Sequence, residues 1–261
     1  MKKFAFLSWA VVAALFFTAC GSSPKGYSVV DGVIVFDAPA RVEGQHSVLR
    51  LTTDPIPVVR VGFIGLGMRG PGAVERFTYL DGVEIKALCD LYPDRVEKSQ
   101  EILAGRNLPA AAAYSGEEGW KELCRRDDID LVYICTPWQL HVPMAVYAME
   151  HGKHVAVEVP AAMSLEECWQ LVDTAEKTQR HCMMLENCVY DFFELTTLNM
   201  AQHGLFGEII HTEGSYIHDL DPFWEHYQGN WRLDFNQSHR GDVYATHGLG
   251  PACQLLDIHR G

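Results

Sequence analysis

Residues Val58–Gly70 read VVRVGFIGLGMRG, and Asp90 stands twenty residues after the last glycine, closing the run VEIKALCD. An apolar run, a G-x-G-x-x-G turn and a second apolar run ending in an acid prescribe a strand, a tight turn, a helix and a second strand. Each position has a physical task. Gly65 makes the turn, Gly67 has no Cβ and lets the backbone approach a pyrophosphate, and Gly70 lets the helix pack on the strand. The helix N-terminus that follows Met68 and Arg69 offers unpaired N–H groups and a partial positive charge to phosphates. A carboxylate at Asp90 can accept both hydroxyls of a ribose and would repel a 2′-phosphate. The pattern therefore predicts bound NAD in preference to NADP.

Beyond this unit, strand and helix signals alternate. Strands are expected at Val58–Ile64, Val83–Cys89, Ile129–Cys135, His154–Val159 and Cys182–Leu185. Helices are expected near Gly72–Leu80, Pro93–Ala104, Gly116–Arg125, His141–His151 and Leu165–Thr178, the last opened by a Ser164/Glu167 capping box. Apolar strands separated by helices predict an α/β fold, a Rossmann doubly wound parallel sheet covered on both faces. Ligands of such sheets bind beyond the strand C-termini, so the segments Cys135–His141, Glu158–Pro160 and Glu186–Asn187 are the ones to read for chemistry.

The chain divides into four parts. Residues 1–20 read as a targeting segment: Lys2 and Lys3, an apolar stretch Phe4–Phe17 too short for a comfortable membrane span, and a lipobox-like FTAC that would lipidate Cys20. The expected location is thus outside the cytoplasm of a bacterium, on a lipid anchor facing the periplasm, with the cell surface as the alternative and no other membrane contact. Residues 21–57 form a tether and a hairpin extension, with Asp31-Gly32 as a two-residue turn. Residues 58–187 form the dinucleotide domain. Residues 188–261 open a second, α+β substrate domain, with a helix at Asp191–Gln202, a strand at Glu208–Ile217 and an amphipathic start at Pro251–Ile258. This last part holds seven of the twelve histidines, and the chain reads as ending inside that domain.

Composition excludes some functions. With 21 basic against 34 acidic side chains and a net charge of −13, nucleic acid is not expected as a partner. The seven cysteines after Cys20 show no metal-ligand spacing. The run HDLDPFWEH offers His218, Asp219, Asp221 and His226, but reads as a solvated loop with an aromatic anchor, so no metal is expected there.

Cys135-Thr136-Pro137 with His141, and Glu158-Val159-Pro160, together with GLGMRG, resemble the Gfo/Idh/MocA superfamily. One departure matters: relatives that dehydrogenate sugars have lysine where this chain has Val159, which cannot donate, accept or hold a proton. The segments KHVAVEVPAA, NCVYDFFELTTLNM, GLFGEI, GSYIHDL, NWR and GDVYATHGLGP resemble glycoside hydrolase family 109, NAD-dependent α-N-acetylgalactosaminidases, from about Val58 to the last residue. By position, the resemblance implies NAD contacts from Met68, Arg69, Asp90, Trp138, Gln139, Leu140, His141, Glu158, Val159, Asn187 and Tyr244. It implies sugar contacts from Tyr216, Arg232, Tyr244, Ala245, Thr246 and His247, with α-GalNAc-terminated glycans as partners.

No pair of carboxylates of the usual glycosidase kind stands out. The resemblance implies instead oxidation at sugar C3, loss of the C2 proton and the C1 substituent, addition of water and reduction at C3, with retention. His247 and Tyr244 are the expected acid/base residues, because an imidazole titrates near neutrality and a phenol can handle a hydroxyl proton. Two alternatives stay open: a sugar or cyclitol oxidoreductase in which Tyr244 or His247 replaces the lysine, and a non-catalytic, NAD-containing, glycan-binding lipoprotein. A homo-oligomer is compatible with the sequence.

Overall fold

The computed structural model describes residues 27–31, 33–36, 39–219, 222, 230–239 and 243–258. The targeting segment with Cys20, and Asp221 and His226 of the HDLDPFWEH run, lie outside the described residues. The chain forms two units, Met1–Val42 and Glu43–Gly261. In the first, β1 (Tyr27–Val30) pairs antiparallel with β2 (Val33–Phe36), with Val30 opposite Val33 across the two-residue turn.

The second unit starts earlier than Val58, because residues after Val42 are tied to the domain. The His46 N–H donates to the Glu176 carbonyl, the Gln45 amide donates to Asp173 at 2.7 Å, and Val48 packs on the core. Its strands are β3 (Val59–Ile64), β4 (Val83–Asp90), β5 (Ala112–Ser115), β6 (Leu131–Ile134), β7 (His154–Val157) and β8 (Cys182–Met184). They form one sheet in the order β5-β4-β3-β6-β7-β8, and every pairing is parallel. The helices α1 (Gly70–Phe77), α2 (Pro93–Gly105), α3 (Gly119–Cys124), α4 (His141–Glu150) and α5 (Leu165–Thr178) connect the strands. Parallel neighbours require such crossovers, and the crossovers bury both faces of the sheet. One face buries Ile64, Val132, Ile134 and Val157 with Ala145 and Met149; the other buries Val61, Phe63 and Leu88 with Val74 and Leu103. Strand order reverses between β3 and β6, which opens a crevice beyond their C-termini.

Ser164 caps α5 as expected: its hydroxyl accepts the Glu167 N–H at 3.1 Å, and the Glu167 carboxylate takes the Met163 N–H. After β8 a short 3-10 turn, Asn187–Tyr190, leads into α6 (Phe192–Gln202); α7 (Trp231–Ser238) and α8 (Ala245–Leu256) follow. The expected strand at Glu208–Ile217 does not form. Residues 209–219 run without regular structure, with Ile210 and Ile217 almost wholly exposed, because no described strand lies alongside to pair with them. The helix expected from Pro251 starts six residues earlier, at Ala245, and includes Pro251.

Candidate functional site

The glycine turn is fixed by sterics. Gly65 has φ +92°, and a Cβ on it would lie 2.7 Å from the carbonyl carbon and oxygen of Cys135 at the end of β6. Only glycine fits both the backbone and the contact. The first turn of α1 carries no acidic side chain, and Arg69 at its N-cap makes no side-chain cap bond. Its orphan N–H groups are thus left to a ligand. A Cβ at Gly67 would meet only the end of the Arg95 side chain, at 3.3 Å, so the backbone there is open to a bulky anion. These residues fit a dinucleotide.

Asp90 ends β4 and is almost fully buried. One carboxylate oxygen accepts the Leu66 N–H at 2.6 Å; the other accepts the Tyr92 N–H at 3.0 Å and faces Arg95 at 3.4 Å. The backbone therefore orients the carboxylate. Each oxygen still has acceptor capacity for a ribose hydroxyl.

A cavity of about 980 Å³ runs from Asp90 and Gly116 past the glycine turn to Tyr244 and His247. Its wall includes Gly65, Gly67, Met68, Arg69, Asp90, Trp138, Leu140, His141, Glu158, Val159, Asn187, Tyr216, Arg232, Tyr244 and His247. Four residues named from sequence are not on it. Gly70 packs under the turn, where a Cβ would strike the Gly65 carbonyl oxygen at 2.1 Å; Gln139 and Ala245 face solvent; the Thr246 hydroxyl is buried without a hydrogen-bond partner.

His141 lines the cavity and also has a structural task. Its ring is fully buried between two carbonyls, Pro160 O at 2.7 Å from Nδ1 and Thr136 O at 2.9 Å from Nε2, and the neutral ring donates to one of them. It packs between the loop after β6 and the loop after β7, and burial pushes its imidazole below the ordinary histidine value. Holding the walls is thus its observed task. Glu158 is held by the Tyr133 hydroxyl, which donates at 2.9 Å, and by Arg69 at 3.6 Å. Burial, with Cys135 and Glu158 nearby, pushes the Tyr133 phenol well above its usual value and keeps it a donor. Val159 is buried in the position discussed above.

The other end of the cavity is aromatic. Trp138 takes edge-on contacts from Trp231, Phe235 and Tyr244 at 5.0, 4.9 and 5.4 Å between ring centroids. The Arg232 guanidinium lies over Trp138, Trp231 and Tyr244 at 5.5, 5.5 and 5.6 Å, with Nε buried and unpartnered. Such a cation is positioned by π-faces and keeps its hydrogen-bonding capacity for an acceptor on a ligand. Asn230 caps α7 by accepting the Arg232 N–H, and its amide donates to the Met68 sulfur at 3.1 Å, joining α7 to the glycine turn.

Tyr244 stacks on His247 at 5.2 Å, and Tyr216 lies 4.3 Å from His247. This gathering depends on a crossing of backbones. A Cβ on Gly248 would lie 2.6 Å from the Gly214 carbonyl oxygen, and one on Gly214 2.2 Å from the Gly248 oxygen. Two glycines let the Tyr216 segment reach the start of α8. His247 Nδ1 forms a short hydrogen bond with Glu186, and both side chains are buried. Glu186 also accepts the Cys188 N–H at 3.2 Å. Sequence reading placed Glu186 on the binding edge of the sheet but gave it no partner; its position right after a predicted strand was the available signal. Burial, with Glu186 next, raises the Cys188 thiol above its usual value. The fully buried thiols of Cys89 and Cys124 are pushed up to about 12 and act as small apolar groups.

Comparison with known proteins agrees with this geometry. A family model described as oxidoreductase family, NAD-binding Rossmann fold, matches residues 59–186. A second, described as glycosyl hydrolase 109, C-terminal domain, matches residues 190–261. The chain belongs to glycoside hydrolase family 109. Among family 109 relatives, protein 1 of Bacteroides fragilis is 69% identical over 224 residues, which are 85% of this chain and 48% of the relative. A family 109 protein of Porphyromonas gingivalis is 63% identical over 257 residues, 98% of this chain and 55% of the relative. A B. fragilis protein named alpha-N-acetylgalactosaminidase is 56% identical over 227 residues, 85% of this chain and 53% of that protein. The chain spans about half the length of the curated relatives it matches. Among solved structures, an NAD-binding protein from Listeria innocua matches with 26% identity and a TM-score of 0.50 over 59% of this chain and 41% of its own. A 3-ketoreductase from Actinomadura kijaniata in complex with NADP matches with 25% identity and a TM-score of 0.50, over 58% and 46%. The Rossmann domain of this family 109 chain is NAD-binding, as its glycine turn and Asp90 require.

Proposed function

We propose that the complete protein removes terminal α-N-acetylgalactosamine from glycoconjugates, with retention and with no net redox change. One observation carries the reading: a single cavity has the dinucleotide turn at one end and the cluster Tyr216, Tyr244 and His247 at the other. The relative named alpha-N-acetylgalactosaminidase supports the substrate class. Val159, where the sugar dehydrogenases that this chain resembles have a lysine, argues against simple alcohol oxidation.

NAD, when bound, supplies a reversible hydride acceptor for the sugar C3 position. The residues of this chain move protons and hold the sugar. Tyr244 takes the C3 hydroxyl proton. His247, whose Nδ1 is engaged by Glu186, uses its other nitrogen to take the C2 proton, made acidic by the C3 carbonyl. The electron pair left at C2 forms a double bond to C1, the C1–O bond breaks, and the aglycone oxygen takes up a proton from solvent, which the water that later adds to C1 gives back. Water then adds to C1, the C2 proton returns, and the C3 hydroxyl is restored. Arg232 and Tyr216 hold the sugar. Export on a lipid anchor at Cys20 would bring this activity to external glycans.

The test is incubation of the full-length protein with a chromogenic α-GalNAc glycoside and no added NAD. Release of the chromophore without net NADH absorbance is expected. NADH accumulating with free sugar and added NAD, and no glycoside cleavage, would establish the oxidoreductase alternative instead.

A further inference from the structure

We propose that Glu186, Cys188 and His247 form a binding site for a divalent transition-metal cation of the zinc class. Ligand atoms, one from each residue (a carboxylate oxygen, Sγ and an imidazole nitrogen), lie within 4.8 Å of one another, and Nδ1 is the nitrogen that faces Glu186. Nitrogen, sulfur and oxygen donors together suit zinc and its borderline-soft neighbours, whereas magnesium and calcium take oxygen sets. Three protein ligands with a fourth position left for water is the arrangement of an accessible zinc site.

A second observation points the same way. Glu186 is only 5% exposed, and although one carboxylate oxygen serves His247 and the Cys188 N–H, the other is buried without any hydrogen-bond partner. An unsatisfied buried carboxylate oxygen costs free energy that a cation would recover. The ligands also sit on a firm frame. Glu186 and Cys188 flank Asn187 at the start of a 3-10 turn, and α8 packs on that turn so tightly that a Cβ on Gly250 would lie 2.7 Å from Val189 and 3.4 Å from Glu186.

Charge balances on binding. The Cys188 thiol releases its proton to solvent, and the imidazole proton leaves Nδ1 for Nε2. Bonds form from the cation to Sγ, Nδ1 and a Glu186 oxygen, while the Nδ1–Glu186 hydrogen bond breaks. A dication with one thiolate and one carboxylate is neutral. Zinc then occupies the nitrogen through which Glu186 orients His247, so on the glycosidase reading above, on which this part rests, it is a reversible inhibitor.

The test begins with Co²⁺ titrated into the chelator-treated chain. A near-ultraviolet thiolate-to-cobalt charge-transfer band is expected, lost in Cys188→Ser with far-ultraviolet circular dichroism unchanged. In the unmodified protein, Zn²⁺ should also protect Cys188 from alkylation, read by peptide mass spectrometry, which needs no variant. No charge-transfer band at saturating cobalt, a band of full intensity in Cys188→Ser, or alkylation of Cys188 at an unchanged rate would each overturn the site. In the full-length protein, Zn²⁺ should inhibit glycoside cleavage and a chelator should restore it. Cys188→Ser should keep its basal turnover and lose zinc sensitivity by more than the roughly 10–100-fold that loss of an outer-shell partner costs. Cobalt bands with zinc-insensitive cleavage would support the site and overturn the role of His247, which separates the two readings.

Discussion

Glu186 and His247 stand 61 residues apart in sequence and meet as a buried hydrogen-bonded pair. The carboxylate comes from the end of the parallel sheet and the imidazole from the first turn of α8, so the pair joins the dinucleotide domain to the segment that carries the aromatic cluster. A carboxylate on one imidazole nitrogen fixes the tautomer and aims the other nitrogen.

Replacing Glu186 with glutamine keeps the shape and an acceptor but removes the charge. Cleavage of an α-GalNAc glycoside by the full-length protein should fall in kcat by about 10²-fold, within the span of general-base contributions, with KM nearly unchanged. The NAD content of the purified variant should match the parent. Equal loss in kcat and in bound NAD would mean that Glu186 merely supports the fold.

Gly65 and Gly67 separate sterics from ligand contact. Gly65→Ala forces a side chain into positive φ and onto the Cys135 backbone. A loss of roughly 2–5 kcal/mol is expected from strain plus overpacking, read by urea denaturation. Gly67→Ala meets only the mobile end of Arg95. Its urea midpoint should stay close to the parent value while NAD affinity drops.

Arg232 is held by the faces of Trp138, Trp231 and Tyr244. Arg232→Lys keeps the charge but loses the planar stacking and fixed donors, so it should behave nearly as badly as Arg232→Ala. KM for the glycoside should rise about tenfold or more in both, the size of one charged hydrogen bond. A lysine variant with parental KM would show that charge alone suffices.

Stability should decline below about pH 6.5, the ordinary histidine value. Burial first, then His181 and Arg180, lowers the pKa of His154, and its Nδ1 accepts the His181 N–H at 3.0 Å, which requires an unprotonated nitrogen. The folded pKa lies below the unfolded one. The unfolded chain therefore binds the proton first, and the His154 contribution is complete above the unfolded value and shrinks as pH falls toward the folded one. His141, also lowered, adds in the same direction. Thermal melts at pH 7.5 and 5.5 should show the drop, and His154→Gln should reduce it.

Much of this fold is legible in the sequence because its signals are local and mutually consistent. The glycine turn, the strands VRVGFI and HVAV and the capped helix Leu165–Thr178 need no knowledge of neighbours. What escapes is what neighbours decide. The strand Ala112–Ser115 has only small residues and one tyrosine, and forms because β4 offers it an edge. Residues 208–217 alternate like a strand, but no described strand lies alongside to pair with their backbone. Gly248 and Gly250 inside α8 are explained only by neighbours, because Gly214 and Val189 press too close there for any side chain. Gly65, Gly67 and Asp90 on the wall follow from the glycine pattern, and the other wall residues were named by resemblance; the Glu186 partnership with His247 could come only from the folded structure.

The bridge from Asn230 to Met68 and the shared edge of Trp138 and Tyr244 give the two ends of the cavity common walls. A ligand that tightens one wall alters what the other end can grip. By linkage, whatever factor NAD imposes on sugar affinity, sugar must impose on NAD affinity. A ligand at the aromatic end that favours the NAD-loaded protein would by the same factor tighten the hold on the dinucleotide.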